Sequence, residues 1–260
     1  MDLQLKDKLA LVSGSTAGIG FAIANGLARE GARVIVNGRT KDRVNTVIER
    51  IRSHNAGAKL EGIAVDLGSA AGSEEVVRSF PDVDVLVNNL GIFEPKAFDA
   101  DWFRFFEVNV MSGVRLSRAY LPSMKKRNWG RIVFISSESG VQIPVEMIHY
   151  GVTKTAQIAV ARGIAETCAG TGVTCNAVLP GPTASEGVSD FVESLASQAG
   201  QNRQQVEKEF FEKARPTSLL KRFATPGEVA AMVVFICSPL SAATNGAALR
   251  VDGGVVRSPF

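Results

Sequence analysis

A tyrosine and a lysine four residues apart, in Tyr150-Gly-Val-Thr-Lys154, have the types and spacing for proton transfer. Residues i and i+4 share one face of a helix, so a phenol and an ammonium at these positions point to one place. An unperturbed tyrosine titrates near ~10, too high for proton transfer at neutral pH. A cation held within about 4–6 Å stabilises the phenolate and lowers that value by roughly 1–3 units. Just upstream, Phe134-Ile-Ser-Ser-Glu-Ser-Gly140 sets the hydroxyls of Ser136, Ser137 and Ser139 at the end of an apolar run. A serine there can donate a hydrogen bond to an oxygen on which negative charge develops. His149 precedes the tyrosine on a different helix face, so no Ser-His-Asp triad is indicated.

A second constellation lies near the start of the chain, in Ser13-Gly14-Ser15-Thr16-Ala17-Gly18-Ile19-Gly20. Glycines at 14, 18 and 20 allow a tight turn and a close backbone approach to a pyrophosphate. The helix that follows offers unpaired N–H groups and the positive end of its dipole to the same anion. The next β-branched run ends in Asn37-Gly38-Arg39-Thr40. A carboxylate at this place would bond the ribose 2′-hydroxyl of NAD and repel a 2′-phosphate. Gly38 occupies it instead, and the Arg39 guanidinium suits a phosphate, which favours NADP(H) over NAD(H).

Short apolar runs, at 9–12, 33–36, 62–65, 83–87, 131–135, 173–178 and 248–251, must carry these motifs. They read as buried strands of a parallel sheet covered on both faces. Helix-length segments at 20–30, 40–54, 99–127 and 150–169 separate them. Strand–helix alternation with right-handed crossovers predicts an α/β fold, a doubly wound sheet that binds ligand beyond the carboxyl ends of its strands. The length suits one domain over 1–260. Residues 181–225 break the rhythm: Val188, Phe191, Val192 and Leu195, then Val206, Phe210 and Phe211, read as an inserted helical pair placed to cover a substrate.

The composition is that of a globular protein, 45% apolar and 21% charged, with a net charge of +3 and no basic run that would suggest nucleic acid or a membrane surface. Cys168, Cys175 and Cys237 form no C-x-x-C pair, and two histidines make no metal-ligand cluster. The first residues lack a signal peptide's apolar core, and no apolar run reaches membrane-spanning length. These features lead to an expectation of a cytoplasmic protein.

Taken together, the motifs resemble those of the short-chain dehydrogenase/reductase family in its single-domain branch, along almost the whole chain. Ser13 to Gly20 is similar to that family's cofactor turn, Asn88-Asn89-Leu90-Gly91 to its N-N-A-G motif, Asn109 to its helix asparagine and Pro180-Gly181 to its P-G after strand six. Ser137 lies thirteen residues before Tyr150, the family's spacing, which selects it over Ser136 and Ser139. The resemblance implies a seven-stranded Rossmann fold and a hydride exchange between nicotinamide and a ketone, aldehyde or secondary alcohol. It implies that Tyr150 transfers the proton, Ser137 orients the substrate oxygen, and Lys154 holds the nicotinamide ribose and tunes Tyr150. Asn109 would position a relay water. It further implies cofactor contacts from Gly14, Ser15, Thr16, Gly18, Ile19 and Gly20, from Asp66 with Leu67, and from Asn89 and Gly91. Pro180, Gly181 and either Thr183 or Ser185 would complete them. One position departs: Leu90 stands where the family has a small alanine, and is read as core filling.

Ser139, Val141, Ile143 and Met147, with the 181–225 insert, make an apolar candidate substrate wall beside Ser137 and Tyr150, which favours an uncharged or partly apolar carbonyl. Lys208, Lys213, Arg215, Lys221 and Arg222 in or near the insert read as a solvated face. Resemblance to β-ketoacyl carrier reductases and to sugar or polyol dehydrogenases is comparable. Relatives pair helices equivalent to 99–127 and 150–169 across two-fold axes, which implies a homotetramer, with a homodimer as the alternative. The competing function is a non-catalytic NADP-binding sensor or scaffold on the same fold. Such a protein would need the glycine turn but not Ser137, Tyr150, Lys154 and Asn109.

Overall fold

A computed structural model of the chain describes residues 1–96, 98, 102–186, 188 and 202–259. Seven strands, β1 (Leu9–Val12), β2 (Arg33–Gly38), β3 (Lys59–Ala64), β4 (Val85–Asn88), β5 (Gly130–Ile135), β6 (Val173–Pro180) and β7 (Ala248–Val251), form one sheet in the order β3-β2-β1-β4-β5-β6-β7. Every pairing is parallel. The chain winds outward from β1 in both directions, so strand order reverses between β1 and β4. A crevice opens there at the carboxyl ends.

Side chains alternate across the sheet because successive Cβ atoms point to opposite faces. Val12, Val34, Val36, Val85, Val87, Val133 and Val178 pack on one face under α1 (Gly18–Arg29), α2 (Lys41–His54) and α8 (Pro226–Ile236). Leu11, Ile35, Leu86, Ile132, Phe134 and Cys175 pack on the other, under α3 (Ala70–Ser79), α5 (Ser112–Lys126) and α6 (Ile148–Thr167). Among the described residues the other α-helices are short: α4 (Phe103–Phe106), joined to α5 by a π turn at Glu107–Met111, and α7 (Arg203–Glu209).

Two helices lie where the sequence reading names none. α8 has a capping box between Thr225 and Glu228 and Pro226 in its first turn. α3 starts at the Ser69 cap. β3 lies earlier than expected because it is an edge strand with only Leu60 and Ile63 buried, so its apolar signal is broken. The helix expected over 99–127 begins its described course at Phe103 and runs through the π turn to Lys126.

In the insert, Thr183 and Ala224 form a parallel bridge that brings its two ends together. Val206, Phe211 and Phe223 form a small core of their own, with Ala184, Val188 and Phe210 against it. The expected apolar positions Phe191, Val192 and Leu195 lie outside the described residues.

Candidate active site

The glycine turn is shaped by excluded volume. Gly14 and Gly18 adopt φ of +61° and +52°, a region that favours glycine. A Cβ at position 20 would lie 2.4 Å from the Gly14 carbonyl oxygen and 2.5 Å from Asn89 Nδ2. Neutral amides hold the turn from both sides. Gly14 N donates to Asn37 Oδ1 at 3.0 Å, and Asn89 Nδ2 donates to the carbonyls of Ser13 and Gly14 at 3.0 and 3.1 Å. Ser15 is fully buried, and its hydroxyl accepts from Asn37 N, so it stitches the turn to β2. Helix α1 starts with no side chain capping it, which leaves its first N–H groups to face the crevice. The cradle fits a dinucleotide pyrophosphate in both shape and donor chemistry.

At the adenosine end, a Cβ at position 38 would lie 2.4 Å from the Thr16 methyl, so any larger residue there would have to displace Thr16. Arg39 is exposed and makes no hydrogen bond or ion pair among the described residues. Asp66 follows β3 with one oxygen accepting from Gly68 N, and Leu67 beside it is buried in the core. Leu90 packs into the core on one side and against Gly14 on the other, 3.3 Å from where a Cβ would stand. The core-filling expectation is therefore half of its role, since it also lines the turn.

Past β6, Gly181 lets the chain cross the backbone of Asp252, whose carbonyl oxygen would lie 2.5 Å from a Cβ. Thr183 is buried and donates to the Gly181 carbonyl at 2.9 Å. Ser185 lies over the glycine turn, with its Cβ 3.1 Å from the Cβ position of Gly18.

The catalytic candidates meet at the ends of β4 and β5. Ser136 Oγ donates to the Lys154 carbonyl at 2.8 Å, and a Cβ at position 140 would lie 2.9 Å from the Lys154 carbonyl carbon, so the turn after β5 is seated against α6. The Ser137 hydroxyl lies close enough to Tyr150 to oppose the effect of burial on its phenol, and the Lys154 ammonium lies 5.5 Å from the Tyr150 ring centre. Gly91 faces them: a Cβ there would lie 3.3 Å from Lys154 Nζ. Asn109, on the π turn, accepts from Ile92 N and donates to the carbonyl of Ile92 and to Thr153 Oγ1. Thr153 in turn donates to the Tyr150 carbonyl.

The electrostatics differ from expectation. Burial pushes the Tyr150 phenol up to about 12, opposed by the nearby Ser137 hydroxyl, and pushes Lys154 down to about 7. Lys154 donates to the Ile135 carbonyl and to Gln157 Oε1, and desolvation is the largest influence on the phenol. In the apo protein the tyrosine is neutral at pH 7.

Phe93 meets the Tyr150 ring edge-on and Ile143 packs against Gly151, both exposed, as is Val141 beside the catalytic turn, and Met147 is partly buried. Ser139 is buried and donates to Glu138 instead of facing the opening. Arg215, expected on a solvated face, is 11% exposed and holds Glu138 at 2.9 Å, binding the end of the insert to the catalytic turn. The other basic candidates do sit outside: Lys213 pairs with Glu209, Lys208 with Glu212 and Arg222 with Glu228. The sequence reading passes over Asn37, Glu138 and Gln157. Their partners lie 23, 77 and 48 residues away, so no local pattern marks them.

Residues 8–196 match the family model described as short chain dehydrogenase. The oxidoreductase YvaG of Bacillus subtilis (strain 168) is 50% identical, and the alignment covers 100% of each chain. Among solved structures, L-sorbose reductase from Gluconobacter frateurii, complexed with NADPH and L-sorbose, superposes with a TM-score of 0.93 at 30% identity, over 99% of this chain and 100% of that one. A 7α-hydroxysteroid dehydrogenase complexed with NADH and a 7-oxo bile acid superposes with a TM-score of 0.84 at 27% identity, over 100% and 98% of the two chains. The chain belongs to the short-chain dehydrogenase/reductase family, whose members are oxidoreductases acting between alcohol and carbonyl groups with a nicotinamide cofactor.

Proposed function

We propose that the protein is an NADP(H)-dependent reductase of a ketone or aldehyde, working through Ser137, Tyr150, Lys154 and Asn109. The observation that carries this reading is the convergence of the turn after β5, which carries Ser137, on Tyr150 and Lys154, whose ammonium lies 5.5 Å from the Tyr150 ring and faces Gly91 at the end of β4. Bound NADP(H) supplies hydride at its nicotinamide ring. Gly14, Ser15, Thr16, Gly18, Ile19 and Gly20 shape the pyrophosphate seat, with Asn89, Gly91, Pro180 and Gly181 along the trough. Asp66 and Leu67 border the adenine. Ser185, lying over Gly18, reaches the phosphates, whereas the Thr183 hydroxyl turns back to the main chain.

Ser137 donates to the substrate oxygen, and Tyr150, kept protonated by burial, delivers its proton to that oxygen as hydride arrives at carbon. A neutral phenol at pH 7 favours the reduction direction. Lys154 and Asn109 would complete the relay that reprotonates the phenol. Arg39, without a partner among the described residues, follows Gly38 and would select a 2′-phosphate.

The apolar side chains of Phe93, Val141 and Ile143 and the insert, part of a single 1–260 domain, favour an uncharged or partly apolar carbonyl. We further propose a homotetramer, or a homodimer, formed through α6. Its Ala159 and Gly163 are exposed, and a Cβ at Gly163 would meet nothing within 4 Å. Free buried thiols at Cys168, Cys175 and Cys237 suit a reducing cytoplasm. Three measurements test the proposal: a screen of ketones, aldehydes and alcohols with each reduced cofactor, Tyr150→Phe turnover, and light scattering after size exclusion. Turnover should fall at least about 100-fold in Tyr150→Phe with NADPH still bound. Near-parental turnover would remove the tyrosine from the chemistry, and a preference for NADH would overturn the cofactor assignment.

A further inference from the structure

We propose that Gln157 is a positioning residue for the lysine of the relay, its carboxamide tying the Lys154 ammonium to the main-chain carbonyl of Asn109. The inference rests on the relay reading above and adds a member to it.

Gln157 is 1% exposed and lies one turn after Lys154 on α6, so the two side chains share a helix face. Its Oε1 accepts from Lys154 Nζ at 3.1 Å, and its Nε2 donates to the Asn109 carbonyl at 2.5 Å. The amide can sit only one way round. An ammonium is purely a donor and a carbonyl purely an acceptor, so the reversed amide would set donor against donor and acceptor against acceptor. The bridged carbonyl belongs to the π turn Glu107–Met111. The bridge therefore joins α6, the π turn and, through the second bond of Lys154 to Ile135, the end of β5.

The bridge matters because Lys154 is buried. Desolvation alone accounts for its depressed pKa. The titratable groups of the elements around it are engaged elsewhere: Glu138 with Arg215, Glu107 with Arg115, and the His149 ring with the Glu94 carbonyl. On its own helix, Tyr150 presents a neutral ring. The stabilisation of the ammonium comes from two neutral oxygens, of Ile135 and of Gln157, and the second is a side chain that mutation can remove. A carboxamide does not exchange protons near neutral pH. It aims the lysine and supports its charge.

The test uses the full chain. Lys154 is followed by NMR through a pH titration of the cofactor-free protein carrying 13C-labelled lysine, with its signal assigned by its loss in Lys154→Met. Gln157→Leu keeps the volume and removes the acceptor. Its Lys154 midpoint should fall by about one pH unit, the size of losing one hydrogen bond to a charged group. With cofactor present, the pH at which alcohol oxidation sets in should rise, because a less charged lysine supports the phenolate less. Gln157→Ala opens room for water, which can accept from the lysine and donate to the carbonyl, so its midpoint should stay closer to the parent's. An unchanged midpoint in folded Gln157→Leu overturns the proposal. If that variant does not fold, Gln157→Glu serves: a carboxylate beside the ammonium should raise the midpoint, and no rise overturns it. Retained turnover in Tyr150→Phe would defeat the relay instead, and leaves this titration readable.

Discussion

The glycine cradle after β1 and the catalytic turn after β5 stand on either side of β4 at the carboxyl end of the sheet, held by different forces. The cradle is built from backbone and neutral amides. Asn37 and Asn89 brace it, and its tolerances are those of excluded volume, with an added carbon at position 20 meeting backbone at 2.4 Å. The catalytic turn is built around buried charge. Lys154 is 4% exposed and Glu138 3%, and Arg215 reaches from the insert to neutralise Glu138. One region is therefore sensitive to size and the other to charge balance. The cradle must present a constant shape to a constant anion, whereas the catalytic turn must keep ionisable groups out of water and still available.

The sharpest test of this contrast is Arg215→Met. It keeps the apolar bulk but leaves a buried carboxylate alone, which costs about 3–5 kcal/mol on breaking such a pair. Urea denaturation would read it, and adding Glu138→Gln to the same chain should restore most of the loss. Burial already holds the Glu138 pKa above its ordinary value despite Arg215. The folded state thus binds this proton more tightly than the unfolded chain, so its contribution to stability grows as pH falls toward the ordinary glutamate range and is lost as pH rises through the raised value. The Arg215→Met deficit should accordingly shrink on acidification. A deficit that does not vary with pH would mean that packing, not charge, joins the insert to the turn.

Gly20→Val probes the other side. Overpacking against backbone should cost about 3 kcal/mol and abolish NADPH binding, with little pH dependence. If dinucleotide fluorescence titrates normally in this variant, the cradle is softer than its contacts imply. Smaller still, Arg39→Ala should weaken NADPH roughly 10-fold and leave NADH unaffected, as loss of a charge-assisted bond to an exposed phosphate requires. Equal losses with both cofactors would assign Arg39 a general role. At the bottom of the scale, Lys213→Ala breaks an exposed pair with Glu209, and its melting temperature should match the parent's within error.

The strands that carry both regions were legible because a parallel sheet covered on two faces leaves continuous apolar runs, as in β1, β5 and β6. The edge strand β3 was displaced in the reading because half of its residues meet water. Helix α8 was readable in principle from Thr225-Pro-Gly-Glu228, an N-cap, a first-turn proline and a capping glutamate. Among site residues, Ser137, Tyr150 and Lys154 were legible because their spacing along the chain is the spacing the chemistry uses.

What the sequence by itself determined is this local geometry: glycines where backbone must turn, a phenol and an amine one helical turn apart, and glycine with arginine where a carboxylate would exclude a second phosphate. Only the tertiary structure decided the balance of charge among them. A hydrogen bond from Gln157 to Asn109, an ion pair from Arg215 to Glu138 and the desolvation that holds Tyr150 protonated all arise between elements far apart in the chain. Desolvation and long-range pairing are properties of packed neighbours, and no stretch of residues carries them before the sheet brings those neighbours together.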